Sequence, residues 1–316
     1  VELRFKADIR TLGFMAWYFS LFGGLWVAWE VLPWAARVPL VAMLMSVSWF
    51  CAVITHNVIH SPLWKSRALN KLTQIALSLC YGFAVSDYIP GHNLSHHRYV
   101  QDRRDVMRTS KLRFRWNLLN LIFFFPIIGL DVVKANGAYA RFARTKNPKW
   151  SRQRTLEVVV VWAVKLAFLA LDWKKAAMLV FLPHLWAVCG ITVTNLLQHD
   201  GTDADHPYNH SRNFVGKVFN WFTFNNGFHG MHHMEPGLHW SLLPKAHEER
   251  LKPHMDPRLD EPSLAAYLFR TYVWPGKRLR FDGAPVVLPE EGPDMDWIEG
   301  TVAGNPADEP EPAPAE

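Results

Sequence analysis

Apolar residues along this chain gather into uncharged runs as long as a bilayer is thick, and the runs come in pairs. Thr11–Trp29 and Val38–Trp64 contain no Asp, Glu, Lys or Arg, and Pro33–Pro39 is the short turn between them. A second pair follows late in the chain. Ala176–His199 has no formal charge, whereas Leu156–Leu171 is interrupted by Glu157 and Lys165 and is the weakest run, with Asp172–Lys175 as the turn. About twenty apolar helical residues cross the hydrocarbon core, and only a backbone that satisfies its own hydrogen bonds can do so. The pattern therefore predicts four spans in two hairpins, over about 11–32, 38–60, 155–172 and 176–198.

Two further apolar stretches, Leu72–Ala84 and Trp116–Leu130, are shorter than a normal span and are flanked by Arg and Lys. They read as helices lying in or dipping into the interface, with Trp116 at headgroup level. Six spans is the alternative count, since tilt and local thinning let short segments cross. Residues 1–283 then form one membrane domain, while 284–316, rich in Pro and acidic residues and ending DEPEPAPAE, reads as a disordered tail with Trp297 as its docking point. A mean hydropathy near zero averages these parts.

The formal net charge of +6 is unevenly spread. Arg4, Lys6 and Arg10 precede the first span, and Arg98, Arg103, Arg104, Arg108, Lys111, Arg113 and Arg115 lie between the second and third. By the positive-inside tendency these parts are cytoplasmic, with Arg37, Lys174 and Lys175 a small countersignal, and a bacterial inner membrane is the expected location. The surplus reads as contact with a membrane surface; no nucleic-acid motif accompanies it.

Histidines supply the chemistry. They cluster as HNVIH at His56–His60, HNLSHH at His92–His97 and HGMHH at His229–His233, and NLLQH at Asn195–His199 closes the fourth run. Residues four apart on a helix share a face, so His56 with His60, His92 with His96, and His229 with His233 each present half a metal site. His97 and His232 point elsewhere around the helix, which lets one cluster serve two metals. With His199 that makes nine candidate ligands, too many for one ion. His184, in LPHLW, reads as packing; His239 is undecided; His206, His210, His247 and His254 lie in polar surroundings and read as surface residues.

Cys51, Cys80 and Cys189 stand alone in apolar segments, which excludes a thiolate cage and hence an iron–sulfur cluster or Cys-type zinc. Imidazole suits iron, copper and zinc alike. Nine of them divided between two ions, with positions left for oxygen or water, suit a redox-active di-iron centre better than a closed structural zinc site.

From Trp49 to about His247 the chain resembles the integral-membrane fatty acid desaturase and hydroxylase superfamily. HNVIH matches that family's HxxxH, HNLSHH has the spacer found in part of it, and HGMHH matches HxxHH. The resemblance implies an all-α integral-membrane fold, four transmembrane helices carrying a cytoplasmic helical cap that holds a di-metal site. It also implies two Fe ions, O2 as co-substrate, a fatty acyl or lipid substrate, and a separate electron donor of ferredoxin, rubredoxin or cytochrome b5 type. His199 occupies the place of an additional ligand, and Asn195 that of an asparagine reaching one iron through water. Asp87, Asp102, Asp105, Asp200 and Glu235 are the nearby carboxylates able to orient ligand rings. A membrane hydroxylase or ketolase acting on an alkane, carotenoid or lipid is the near alternative, and a non-redox zinc receptor or hydrolase the distant one.

Overall fold

A computed structural model describes residues 2–298, whose regular structure is almost all helix. They divide into two compact units, one of residues 2–89 and 140–191, the other of 90–139 and 192–298. Four helices are long and apolar enough to cross a membrane: Lys6–Val31, Trp34–Val58, Asn117–Lys146 and Trp173–His199. Each has at least the length of about 30 Å that the hydrocarbon core requires at about 1.5 Å per residue.

Three of these correspond to the first, second and fourth expected spans, and the third does not. The run expected to cross at 155–172 is helical, within Pro148–Leu171, but the fourth long apolar helix is instead Asn117–Lys146, which contains the stretch read as interfacial. Asp131 follows the apolar stretch that ends at Leu130. In the fold Lys111 Nζ lies 2.9 Å from Asp131 Oδ2, so the carboxylate is paired and the helix runs on.

Within the first unit, Pro148–Leu171 shows how a helix with internal charge is accommodated. Gln153, Glu157, Val161 and Lys165 recur every fourth residue and are buried, while Leu156, Val159, Trp162, Leu166 and Leu169 are exposed. The polar stripe is satisfied locally, as a buried charge must be. Glu157 accepts hydrogen bonds from Ser86 N and Gln153 Nε2, both 2.8 Å. Lys165 Nζ donates to Gly82 O at 2.6 Å and lies 4.6 Å from the Phe83 ring centre. Beside it the helix Arg67–Tyr81 starts at the Ser66 cap and ends at Gly82, whose φ of 88° is left-handed and whose N–H closes on Ser78 O at 2.8 Å. A small cluster of Ala52, Val53, Tyr81, Ala187 and Ile191 forms part of this unit's core. His184 packs as expected, its Nε2 2.9 Å from the Tyr18 hydroxyl.

The second unit is built round Val106, Met107, Leu112, Phe124, Ile128, Leu196, Leu197, Phe214, Tyr267 and Tyr272. It also contains a parallel pair of two-residue strands, Asn213–Phe214 with Asp260–Glu261. His247 belongs to this interior and not to the surface: it is fully buried, with Nε2 3.0 Å from Asp260 Oδ2. The end expected to be disordered lies outside the described residues from 299 onward. Before that, Trp297 is buried and stacked on Tyr139, with ring centres 6.1 Å apart.

Candidate metal centre

The second histidine box is carried by an unusual piece of backbone. Pro90–His96 is π-helical, continuing into an α-turn at His97–Tyr99. A π-helix is wider than an α-helix and aligns residues five apart, and such segments concentrate at functional sites. Here it brings the Nε2 atoms of His92 and His97 to 3.0 Å while turning His96 a different way. The third box sits on a short helix, His229–Met234, whose start is set by a tight loop in which Asn225 has a φ of 58° and Asn220 Oδ1 accepts from Gly227 N at 3.0 Å. His199 is the last residue of the helix Leu182–His199.

These elements of the second unit converge on two imidazole sets. In the first, ligand atoms of His96, His199, His229 and His233 all lie within 4.8 Å of one another. His96 Nε2 is 3.1 Å from His199 Nε2, which is 2.9 Å from His229 Nε2, which is 3.1 Å from His233 Nε2. In the second set His97 Nε2 lies 3.0 Å from both His92 Nε2 and His232 Nε2. The first box lies in the other unit. His56 is near the end of Trp34–Val58, and His60 is in the turn beyond it, their ring centres 5.4 Å apart.

Proton bookkeeping in the first set shows that it fits a cation. His96 Nδ1 faces Asp105 Oδ2 at 2.9 Å, and His199 Nδ1 faces the His210 carbonyl at 3.2 Å. Both partners are acceptors, so both Nδ1 atoms carry the proton and both Nε2 atoms present lone pairs. Those lone pairs stand 3.1 Å apart with no proton to share. A metal removes the repulsion, and the separations resemble the roughly 3.3 Å between neighbouring ligand atoms held tetrahedrally at about 2.0 Å from an ion. Burial, joined by the neighbouring imidazoles of His97, His229, His199 and His96, pushes His233 well below the ordinary histidine range. It is therefore neutral at neutral pH, the ligating form.

Of the five nearby carboxylates, Asp105 serves a box histidine. Asp105 is fully buried against His96, and it also accepts from Gln101 N and Met107 N at 2.9 and 2.8 Å. The other four pair with arginines: Asp87 with Arg154, Asp102 with Arg104, Asp200 with Arg278 and Glu235 with Arg250. Asn195 donates from Nδ2 to Met107 O at 2.9 Å. Sequence reasoning missed His210, which supplies the carbonyl to His199 and whose own ring lies 5.8 Å from that of His233; the pull of burial lowers it to about 4. His239 bonds locally to the Ser241 hydroxyl at 2.8 Å, and His254 is exposed.

Long apolar helices joined to buried, converging imidazoles define a membrane protein with a capacity for metal. Residues 32–261 match the fatty acid desaturase family model, more than half of the sequence, and the chain belongs to that family. A comparison with individually curated proteins gives no match.

Proposed function

We propose that this chain is an oxygen-dependent di-iron fatty acyl desaturase. The observation that carries the reading is the pair of imidazole sets, one of them holding two lone pairs face to face. In this reading His96, His199, His229 and His233 hold one iron. His92, His97 and His232 hold the other, with His56 and His60 of the first box assigned to it. The irons supply activation of dioxygen and removal of two hydrogens from neighbouring methylenes. One dioxygen becomes two waters: two hydrogens with their electrons come from the alkyl chain, two electrons from a separate carrier and two protons from solvent.

The chain's own residues supply position. Asp105 keeps the His96 proton on Nδ1 and so keeps Nε2 toward the ion. The His210 carbonyl does the same for His199. With Asn195 Nδ2 committed to Met107 O, its amide oxygen is the atom assigned to a water-bridged contact. The apolar spans hold the acyl chain, because orientation decides which C–H bond reacts. The positive-inside tendency of the basic segments supports a site on the cytoplasmic side of a bacterial inner membrane.

Expression in a host with lipid profiling, together with metal analysis, tests this. Two irons per chain and a new double bond are the expected result. A single zinc ends the reading, and added oxygen without a double bond replaces it by a hydroxylase or ketolase.

A further inference from the structure

The loop that follows the second box presents Arg103, Arg108, Lys111 and Arg113 to a cleft of about 900 Å³, and the other wall of that cleft is the chain's own segment 289–294, PEEGPD. Lys111 Nζ lies 2.8 Å from Asp294 Oδ2, Arg113 Nε lies 3.3 Å from Glu291 Oε1, and Arg108 pairs with Asp294. Backbone carbonyls add to these: Arg103 donates to Glu290 O at 3.3 Å and Arg108 to Gly292 O at 3.4 Å. The segment has neither helix nor strand. It is held by these charges together with the Met295 N–H on Arg103 O at 3.0 Å and the buried Trp297 beyond it, and its occupancy shows what the loop recognises: carboxylates spaced along an extended backbone.

Two magnitudes decide what such an occupant does. Glu291 is 79% exposed, so its pair with Arg113 is screened by solvent, whereas Asp294 sits on Lys111 and Arg108, which are only 7% and 9% exposed. The strap is therefore held firmly at Asp294 and loosely at Glu291, and it is the Glu291 end that yields first to a competing acidic surface. The loop beneath it is also the one that carries Asp105, the carboxylate on His96. A protein seated there stands against a stretch of chain that links a cationic surface to a ligand ring through a buried carboxylate.

Resting on the reading that the enzyme draws electrons from a separate carrier, we propose that the 103–113 loop is the docking face for an acidic electron-carrier protein and that 289–294 occupies it as a tethered competitor. The strap weakens docking until the carrier displaces it. A tethered competitor acts at the high effective concentration set by its short connection, so its removal reads out as tighter carrier binding without any new contact.

The test uses the full chain in detergent with three probes, a [2Fe–2S] ferredoxin, a rubredoxin and the soluble domain of cytochrome b5. Binding and hydrogen exchange over 286–298 are measured with and without bound iron. E291Q/D294N is expected to bind at least one probe roughly fivefold more tightly at low salt, with metal content and melting temperature unchanged. Adding that probe to the unmodified protein should speed exchange over 289–298, and R103Q/R113Q should weaken binding. Equal binding by the unmodified protein and E291Q/D294N overturns the proposal, as does failure of all three probes to bind. Lower melting temperature or metal loss in E291Q/D294N also overturns it, making the strap a structural clasp. None of these measurements needs turnover, so failure of the desaturase reading appears separately, in the lipid profile.

Discussion

Asp105 Oδ2 lies 2.9 Å from His96 Nδ1, with both side chains fully buried, and this contact decides which nitrogen of the ring is left for a metal. Replacement of the carboxylate by an amide keeps the shape but leaves a single acceptor oxygen, so either the Gln101 or the Met107 backbone bond is lost along with the charge and the fixed tautomer. Asp105→Asn is expected to lose about 10- to 100-fold in metal affinity or turnover, the usual cost of such a supporting group. Iron per chain against free iron concentration, compared with the melting temperature, separates this from unfolding. A variant with normal iron affinity and turnover would free His96 from Asp105.

His96→Ala, His199→Ala and His233→Ala should each lose iron and abolish oxidation, since each removes one member of a four-imidazole set whose other lone pairs remain crowded. His254→Ala, at an exposed ring, should change neither. Metal analysis of the purified variants checks both. Asn195→Ala should keep more metal than His199→Ala while losing activity, because a water-bridged contact tunes a site more than it holds it.

Gly82→Ala should lower stability by about 2–4 kcal/mol, combining left-handed backbone with overpacking. Its φ is 88°, and an added Cβ would fall 2.2 Å from His184 Cγ. Gly13→Ala is the control: no atom lies within 4 Å of the added carbon, and the helix gains propensity. Thermal unfolding in one detergent compares the two. Equal melting temperatures would contradict the packing of His184 over the helix end.

Docking of the strap should depend on pH in one direction. Burial tends to raise the Asp294 carboxyl, but hydrogen bonds from Lys111 and Arg108 outweigh it and hold the group below its ordinary 3.8. A lowered carboxyl contributes stability that is fully present above 3.8 and is lost as pH falls through the lower folded value. Hydrogen exchange over 286–298, corrected for intrinsic rate, should therefore show protection unchanged from pH 7 to 5 and lost only below about the ordinary carboxylate range. Loss of protection between pH 7 and 5 would show that other groups hold the strap.

The third box was legible because four-residue spacing is a property of the α-helix, and His229 with His233 needed no tertiary information. The expected pairing of His92 with His96 is overturned, because the π-helical turn sets His92 with His97, five residues on, and sends His96 to the other imidazole set. Asp105 was not separable from Asp87, Asp102, Asp200 and Glu235, since each choice depended on an arginine distant in the fold or close by in a turn: Arg154, Arg104, Arg278 and Arg250. The full reach of the Trp116–Leu130 stretch was not legible, because the helix continues past Asp131, whose lysine partner is twenty residues away in sequence. Glu157 and Lys165 marked the weakest run, and that helix, whose polar face turns inward, is not among the four long apolar ones. His247 looked polar by neighbourhood, but Asp260 reaches it from a separate segment.

The π-helical turn at Pro90–His96 makes the second box a gauge as well as a source of ligands. His92 and His97 meet one imidazole set and His96 the other, so the pitch of this one short backbone segment fixes how far apart the two sets stand. A residue inserted or deleted between His92 and His96 would throw both sets out of step together, and a sequence that keeps its histidines but changes that count by one would keep the letters of the motif without its measure.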